Sequence, residues 1–164
     1  MKILLLADTR AVHTARFKKG LKDAGAEVLL ASLEAGEEAD YSIKKRTPLN
    51  SLNYYAAGRQ IRELMKSFSP NIINPHFASG YGFAAAVSKV WKQRPVVLHC
   101  LGSDILISPK KSFLHKWRVT RALDCATKVM VDSRYLSDEV RKLDSDIEPV
   151  IIPWGVEDGN LQIF

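Results

Sequence analysis

The sequence predicts an α/β fold, a doubly wound, mainly parallel sheet with helices on both faces, and two observations predict it. Lys2 to Ala7 (KILLLA), Glu27 to Ser32 (EVLLAS) and Val96 to Leu98 each hold an unbroken apolar stretch, so both faces of these strands are expected to be buried. Between such runs, apolar residues recur at three- and four-residue steps, which is helical spacing. Helices alternating with doubly buried strands require parallel pairing with right-handed crossovers.

Taken in order, Lys2 to Ala7 is a strand, and His13 to Ala24 is a helix with Phe17, Leu21 and Ala24 on one face and Gly25 as its stop. Glu27 to Ser32 is the next buried strand. Leu33 to Tyr41 is a polar loop, and Ser42 to Arg46 is an edge strand blunted by Lys44, Lys45 and Arg46. Ser51 caps the most regular helix, whose Tyr54, Ala57, Ile61, Leu64, Met65 and Phe68 form its inner face and which ends before Pro70. Asn71 to Asn74 is a short strand, Ser79 caps an apolar helix through Trp91, and Pro95 to His99 is a strand. A basic helix from about Ser112 to Asp124, a strand at Lys128 to Val131, a helix opening near Ser133 and a strand at Pro149 to Ile152 complete the pattern.

With 164 residues and 46% hydrophobic content the chain builds one core rather than two domains of ordinary size. The apolar start is cut off by Asp8 and Arg10, too early for a signal peptide, and no run reaches the roughly 20 apolar residues of a membrane span. The expectation is a cytoplasmic chain. Cys100 and Cys125 lack metal-ligand spacing and read as reduced core residues, with no metal site and no cofactor. A net charge of +6 and an isoelectric point near 9.4 point to an anionic partner: nucleic acid, a membrane surface or a phosphorylated ligand.

In an open parallel sheet, ligands bind outside the carboxyl ends of the strands. Asp8 to His13, His76 to Gly82, Gly102 to Asp104, Asp132 to Arg134 and Trp154 to Gly155 follow strands and line that rim. The candidates for substrate binding are Arg10, His13, Thr14, His76, Gly102, Ser103 and Asp104. Arg10 suits an anionic group, while Thr14 and Ser133 also fit ordinary helix caps. Gly80-Tyr-Gly82-Phe-Ala-Ala85 matches G-x-G-x-x-A, with Asp104 after the next strand, which leaves an NAD(P)-binding domain of an oxidoreductase as an alternative. Against it, the motif does not follow the first strand, and glycines there also serve close packing. A basic nucleic-acid-binding module is a second alternative. Its basic residues are spread over several elements and carry no recognised motif.

KILLLADTRAVHTARFKKGLKDAGAEV, NPHFASGYGFAAAV, PVVLHCLGSDIL, VMVDSRYLSDEV and VIIPWGVED occur in an order that resembles the N-terminal half of a family 4 glycosyltransferase of the GT-B fold. The resemblance implies a Rossmann-like, acceptor-binding domain at 1–155, the start of an interdomain linker at 156–164, and an absent C-terminal donor domain. In the family, that donor domain carries two glutamates separated by seven residues, and no two glutamates here have this spacing. The implied function is a retaining transfer from a nucleotide sugar to a lipid-linked or cell-envelope acceptor, the fragment alone being inactive. Asp104 and His99 are the catalytic candidates it supplies, although Leu101 stands where many members have a histidine and the loop after the first strand lacks glycine. The partners are then the nucleotide sugar through the missing domain, an acceptor glycan or lipid, and no nucleic acid.

The segment from Pro109 to Ala126 adds an expectation from helical geometry. At about 100° per residue, His115, Val119, Ala122, Leu123 and Ala126 form an inner face and leave Phe113, Leu114 and Trp117 on another. Flanked by Lys110, Lys111, Arg118 and Arg121, those rings suit an anionic membrane surface, where each basic residue contributes about 1 kcal/mol. The chain would then sit on the inner face of the membrane. The other reading is that a neighbouring loop or a second domain covers Phe113 and Trp117.

Overall fold

The computed structural model describes residues 1–34 and 36–155, so the expected linker start at 156–164 lies outside the described residues. The strands are β1 (Lys2–Leu6), β2 (Glu27–Ser32), β3 (Tyr41–Ser42), β4 (Ile72–Pro75), β5 (Val97–His99), β6 (Lys128–Val131) and β7 (Val150–Ile151). The helices are α1 (Val12–Asp23), α2 (Asn50–Ala56), α3 (Gly58–Phe68), α4 (Phe83–Ser88), α5 (Ser103–Leu106), α6 (Ser108–Lys111), α7 (Phe113–Asp124) and α8 (Arg134–Leu143). The pairing is parallel throughout, in the order β3-β2-β1-β4 and β5-β6-β7. Single bridges, Ile73 to Val96 and His76 to His99, join the halves into one continuous succession. At that seam the Asn74 side chain donates to the Val97 carbonyl at 2.6 Å, completing a junction that the backbone ladder leaves open.

The apolar runs form strands because each has a core on both sides. Leu4 and Leu6 pack with Ile61, Leu64 and Met65 of α3, while Leu5 and Leu30 face Phe17 and Leu21 of α1. A further core joins Leu98, Val129 and Val131 to Val119 and Leu123 of α7 and Leu136 and Val140 of α8. Gly25, with φ +83, ends α1 as expected, and the Ala26 amide returns to the Leu21 carbonyl at 3.0 Å. The Ser112 and Ser133 hydroxyls cap α7 and α8 by accepting the His115 and Leu136 amides. Both cysteines are free and buried, and no helix among the described residues is long and apolar enough to cross a membrane.

Several boundaries differ from expectation for local reasons. The edge strand is Tyr41–Ser42 rather than Ser42 to Arg46, because the Gln60 amide takes both the Lys44 N–H (2.9 Å) and its carbonyl (3.1 Å). The long helix begins at Asn50, with Leu49 at its cap, and pauses at Ala57. There Gly58 packs on the Ser88 backbone, to which a Cβ would lie at 3.5 Å. Ser79 does not cap a helix. It sits inside a π-helical turn, Phe77–Gly82, and its hydroxyl meets that of Ser108 at 3.2 Å. Gly80 and Gly82 are packing glycines, since a Cβ on Gly82 would stand 2.8 Å from Leu98 Cδ1 and 3.2 Å from Ala122 Cβ. They form no open phosphate loop, contrary to the dinucleotide alternative.

Candidate functional site

The strand order changes direction between β1 and β4, and there the chain opens a cavity of ≈ 330 Å³. The loop after β1 and the first turn of α1 bring His13 and Thr14 to it. The segment after β4 brings His76 and Phe77, and the loop after β5 brings Leu101 and Ser103. Tyr54 and Tyr81 close the far side. On the other side of His13, a shallower hollow of ≈ 300 Å³ is walled by Phe17, Trp154 and Gly155.

Three histidines meet beneath this rim. His76 and His99 are each 2% exposed, their rings edge to face at 4.9 Å, and Phe17 packs edge-on against both at 4.8 and 5.6 Å. Trp154 lies flat on His99, with centroids 4.7 Å apart, and tilts over His13 at 5.2 Å. Burial, with a smaller push from the neighbouring imidazoles, lowers His76 to about 3; burial and His13 lower His99 to about 4, against a weak pull from Asp132. Burial lowers His13 as well. At neutral pH these rings are uncharged, each with one donor and one acceptor nitrogen. Among the described residues the only side-chain partner of His76 is Asn74 Oδ1 at 3.3 Å, leaving His76 Nδ1 and both His99 nitrogens without one.

Asp104, expected as a catalytic residue, is fully buried and does not line the cavity. Its carboxylate accepts the Ala78 amide at 2.6 Å and the Leu101 amide at 3.0 Å, clasping the π-helical turn to the loop after β5. Burial raises its pKa even though these bonds oppose the rise. Asp104 thus lies outside the cavity lining and ties the two segments of the rim together, and His99 sits under Trp154, also outside the cavity wall. The clasp holds two unusual backbones: Gly102 at φ +110, and Phe77 at φ +72, a conformation that costs a non-glycine residue about 1–3 kcal/mol and clusters at working sites. A π-helical turn has the same association.

Arg10 does not reach the cavity. Its guanidinium forks onto Asp8 at 3.1 and 2.8 Å and lies 3.5 Å from Glu34. Burial works to raise the Asp8 carboxyl, but the Arg10 bonds outweigh it and hold the group below its ordinary value. Thr14 is buried and is not a cap, since Ala11 holds that position. On α7 the expected membrane set divides. Phe113 is 86% exposed, Leu114 59% and Trp117 44%, with Lys110 and Lys111 exposed beside them. Arg118 instead turns inward at 6%, over the Tyr54 and Phe83 rings, and Arg121 pairs with Asp124 at 3.8 Å. Tyr54 and Phe17 were legible only as core positions, because helical spacing reports which face is inward and not which end of it meets a cavity.

These features define a Rossmann-like α/β domain of the GT-B type, with its candidate site on the carboxyl rim. A glycosyl transferase 4-like family model matches residues 2–133, and the chain belongs to that family. It is 29% identical over 138 residues to the candidate teichuronic acid biosynthesis glycosyltransferase TuaC of Bacillus subtilis (strain 168), covering 75% of this chain and 35% of that protein. Among solved structures it is similar to UDP-GlcNAc 2-epimerase from Neisseria meningitidis bound to UDP-GlcNAc (TM-score 0.68, 13% identity, 90% of this chain and 44% of that one). It is also similar to Acinetobacter baumannii MurG (TM-score 0.55, 14% identity, 79% and 40%). The chain spans about a third of the curated relative and less than half of these solved chains.

Proposed function

We propose that this chain is the N-terminal, acceptor-binding half of a retaining glycosyltransferase whose donor is a nucleotide sugar held by a second domain. The observation that carries the reading is the cavity at the switch point, where uncharged His13 and His76 and the hydroxyls of Thr14 and Ser103 offer hydrogen bonds beside the Arg10-paired carboxylate of Asp8. That chemistry suits sugar hydroxyls. In a retaining transfer on one face of the sugar, the acceptor oxygen bonds to the anomeric carbon as the carbon–oxygen bond to the nucleotide phosphate breaks. The acceptor proton then passes to that departing phosphate. No general base is needed from this half, which contributes by holding the hydroxyl in line, an effect worth several kcal/mol.

The acceptor in this reading is lipid-linked and belongs to the cell envelope. Phe113, Leu114 and Trp117 would dip into the headgroup region, with Lys110 and Lys111 drawing the domain to an anionic inner leaflet. Teichuronic acid, in the name of the Bacillus subtilis relative, favours an anionic acceptor as well.

Amide chemical shifts test the reading. Short acidic oligosaccharides should move the signals of His13, Thr14, His76 and Ser103, UDP-sugars alone should not, and the 164-residue chain should transfer no sugar. Turnover by the isolated chain, or NADH binding in the cavity, overturns it.

A further inference from the structure

Two cationic side chains are buried among the described residues, Lys18 and Arg118. Lys18 is paired, its Nζ lying 3.0 Å from Asp40 Oδ1 and 2.6 Å from the Glu38 carbonyl. Arg118, 6% exposed, has no hydrogen bond or ion pair among the described residues, and its Nε is sealed from solvent without an acceptor. Two rings hold the guanidinium: Phe83, 4.8 Å from its central carbon, and Tyr54, 5.8 Å away. Burial presses its pKa down. A desolvated, unpaired charge costs more than two ring contacts return, so the fold keeps Arg118 here at a loss unless something anionic meets it.

The space for such a group is present. Arg118 lines a cavity of ≈ 280 Å³ between the π-helical turn and α6–α7, together with Lys111, His115 and the serines 79, 103 and 108. Among the described residues no aspartate or glutamate lines it. Tyr54, Phe77 and Ser103 are walls of both this cavity and the sugar-type crevice, so one ligand can occupy the two together. Tyr54 is fixed edge-on against Tyr81 at 5.3 Å, and Gly80 admits its ring, since a Cβ there would stand 3.2 Å from it.

We infer that this cavity is a subsite for a phosphoryl group carried by the ligand of the crevice. The planar Arg118 fork alone would saturate a carboxylate; a tetrahedral phosphoryl oxyanion also uses the ammonium of Lys111 and hydroxyl donors arriving from other directions. The inference deepens the acceptor-binding reading and rests on it only for the rest of the ligand.

The test is a titration of the chain with inorganic phosphate, glycerol 1-phosphate and glycerol, followed by α7 amide shifts, with phosphatidylglycerol and phosphatidylcholine vesicles as a second arm. Both soluble phosphates should bind and glycerol should not. R118M should weaken binding at least tenfold while its melting temperature equals or exceeds that of the parent, because an unpaired charge has gone. R118K should retain part of the affinity. Binding confined to phosphatidylglycerol vesicles and lost in R118M would assign the phosphoryl group to a lipid headgroup. Should R118M fail to fold, K111M must still weaken phosphate binding severalfold. Unchanged phosphate binding in R118M, or in K111M where R118M does not fold, overturns the inference, as does a parent that binds neither phosphate nor anionic vesicles. Oligosaccharide shifts at His13 and His76 without any phosphate response would overturn the subsite alone and leave the acceptor reading standing.

Discussion

The His99 imidazole lies parallel to the Trp154 indole, with ring centroids 4.7 Å apart and planes 2° from alignment. This stack closes the lower side of the histidine cluster, with His76 edge-on to His99 and Phe17 against both. Burial without a charged partner lowers His76 to about 3 and His99 to about 4. Between the unfolded value of about 6.5 and these folded values the unfolded chain binds more protons, so stability falls as pH falls through that window. Histidine ring-proton shifts should show His76 and His99 titrating with midpoints near 3 and 4. Midpoints near 6.5 for these two would contradict the buried, neutral cluster.

Loss of the Asp104 clasp should be expensive. Asp104→Ala orphans two amides, of Ala78 and Leu101, and at about 1–3 kcal/mol each the unfolding free energy should drop by about 3 kcal/mol in urea titrations. Asp104→Asn keeps one acceptor oxygen and should lose about half as much. A neutral Asp104→Ala variant would show that the rim is held by other contacts.

Two glycines should answer alanine with opposite signs. Gly82→Ala drives a methyl to 2.8 Å from Leu98 Cδ1 in a filled core and should destabilise by about 1–3 kcal/mol. Gly20→Ala, inside α1 with nothing within 4 Å of the added methyl, should stabilise by about 0.5–1 kcal/mol. Thermal melts of the two variants provide the comparison.

Vesicle sedimentation tests the exposed face of α7. Phosphatidylglycerol should retain the chain at low salt, phosphatidylcholine should not, and a Phe113→Ser, Trp117→Ser double variant should bind at least about fivefold more weakly, since both rings lose their insertion area. Equal retention on both lipids would remove the membrane from the proposal.

The sequence by itself determined the parallel sheet, because strand and helix periods are local signals: KILLLA cannot be half exposed, and Ile61, Leu64 and Met65 can only share one helical face. It also marked His13, His76 and Ser103, each directly after a strand or at the opening of the next helix, where the fold class puts a rim. Tertiary structure alone decided what those residues and their neighbours do. Asp104 reads in sequence as a rim carboxylate, yet it is turned under by amides that lie 26 and 3 residues away. Arg118 reads as one more surface cation of a basic helix, yet the phenyl of Phe83 and the phenol of Tyr54, from distant segments, draw it inward. Periodicity records which side of an element is apolar. Whether a charge is paired, sealed or open to a ligand depends on atoms brought from elsewhere in the chain, and only packing supplies them.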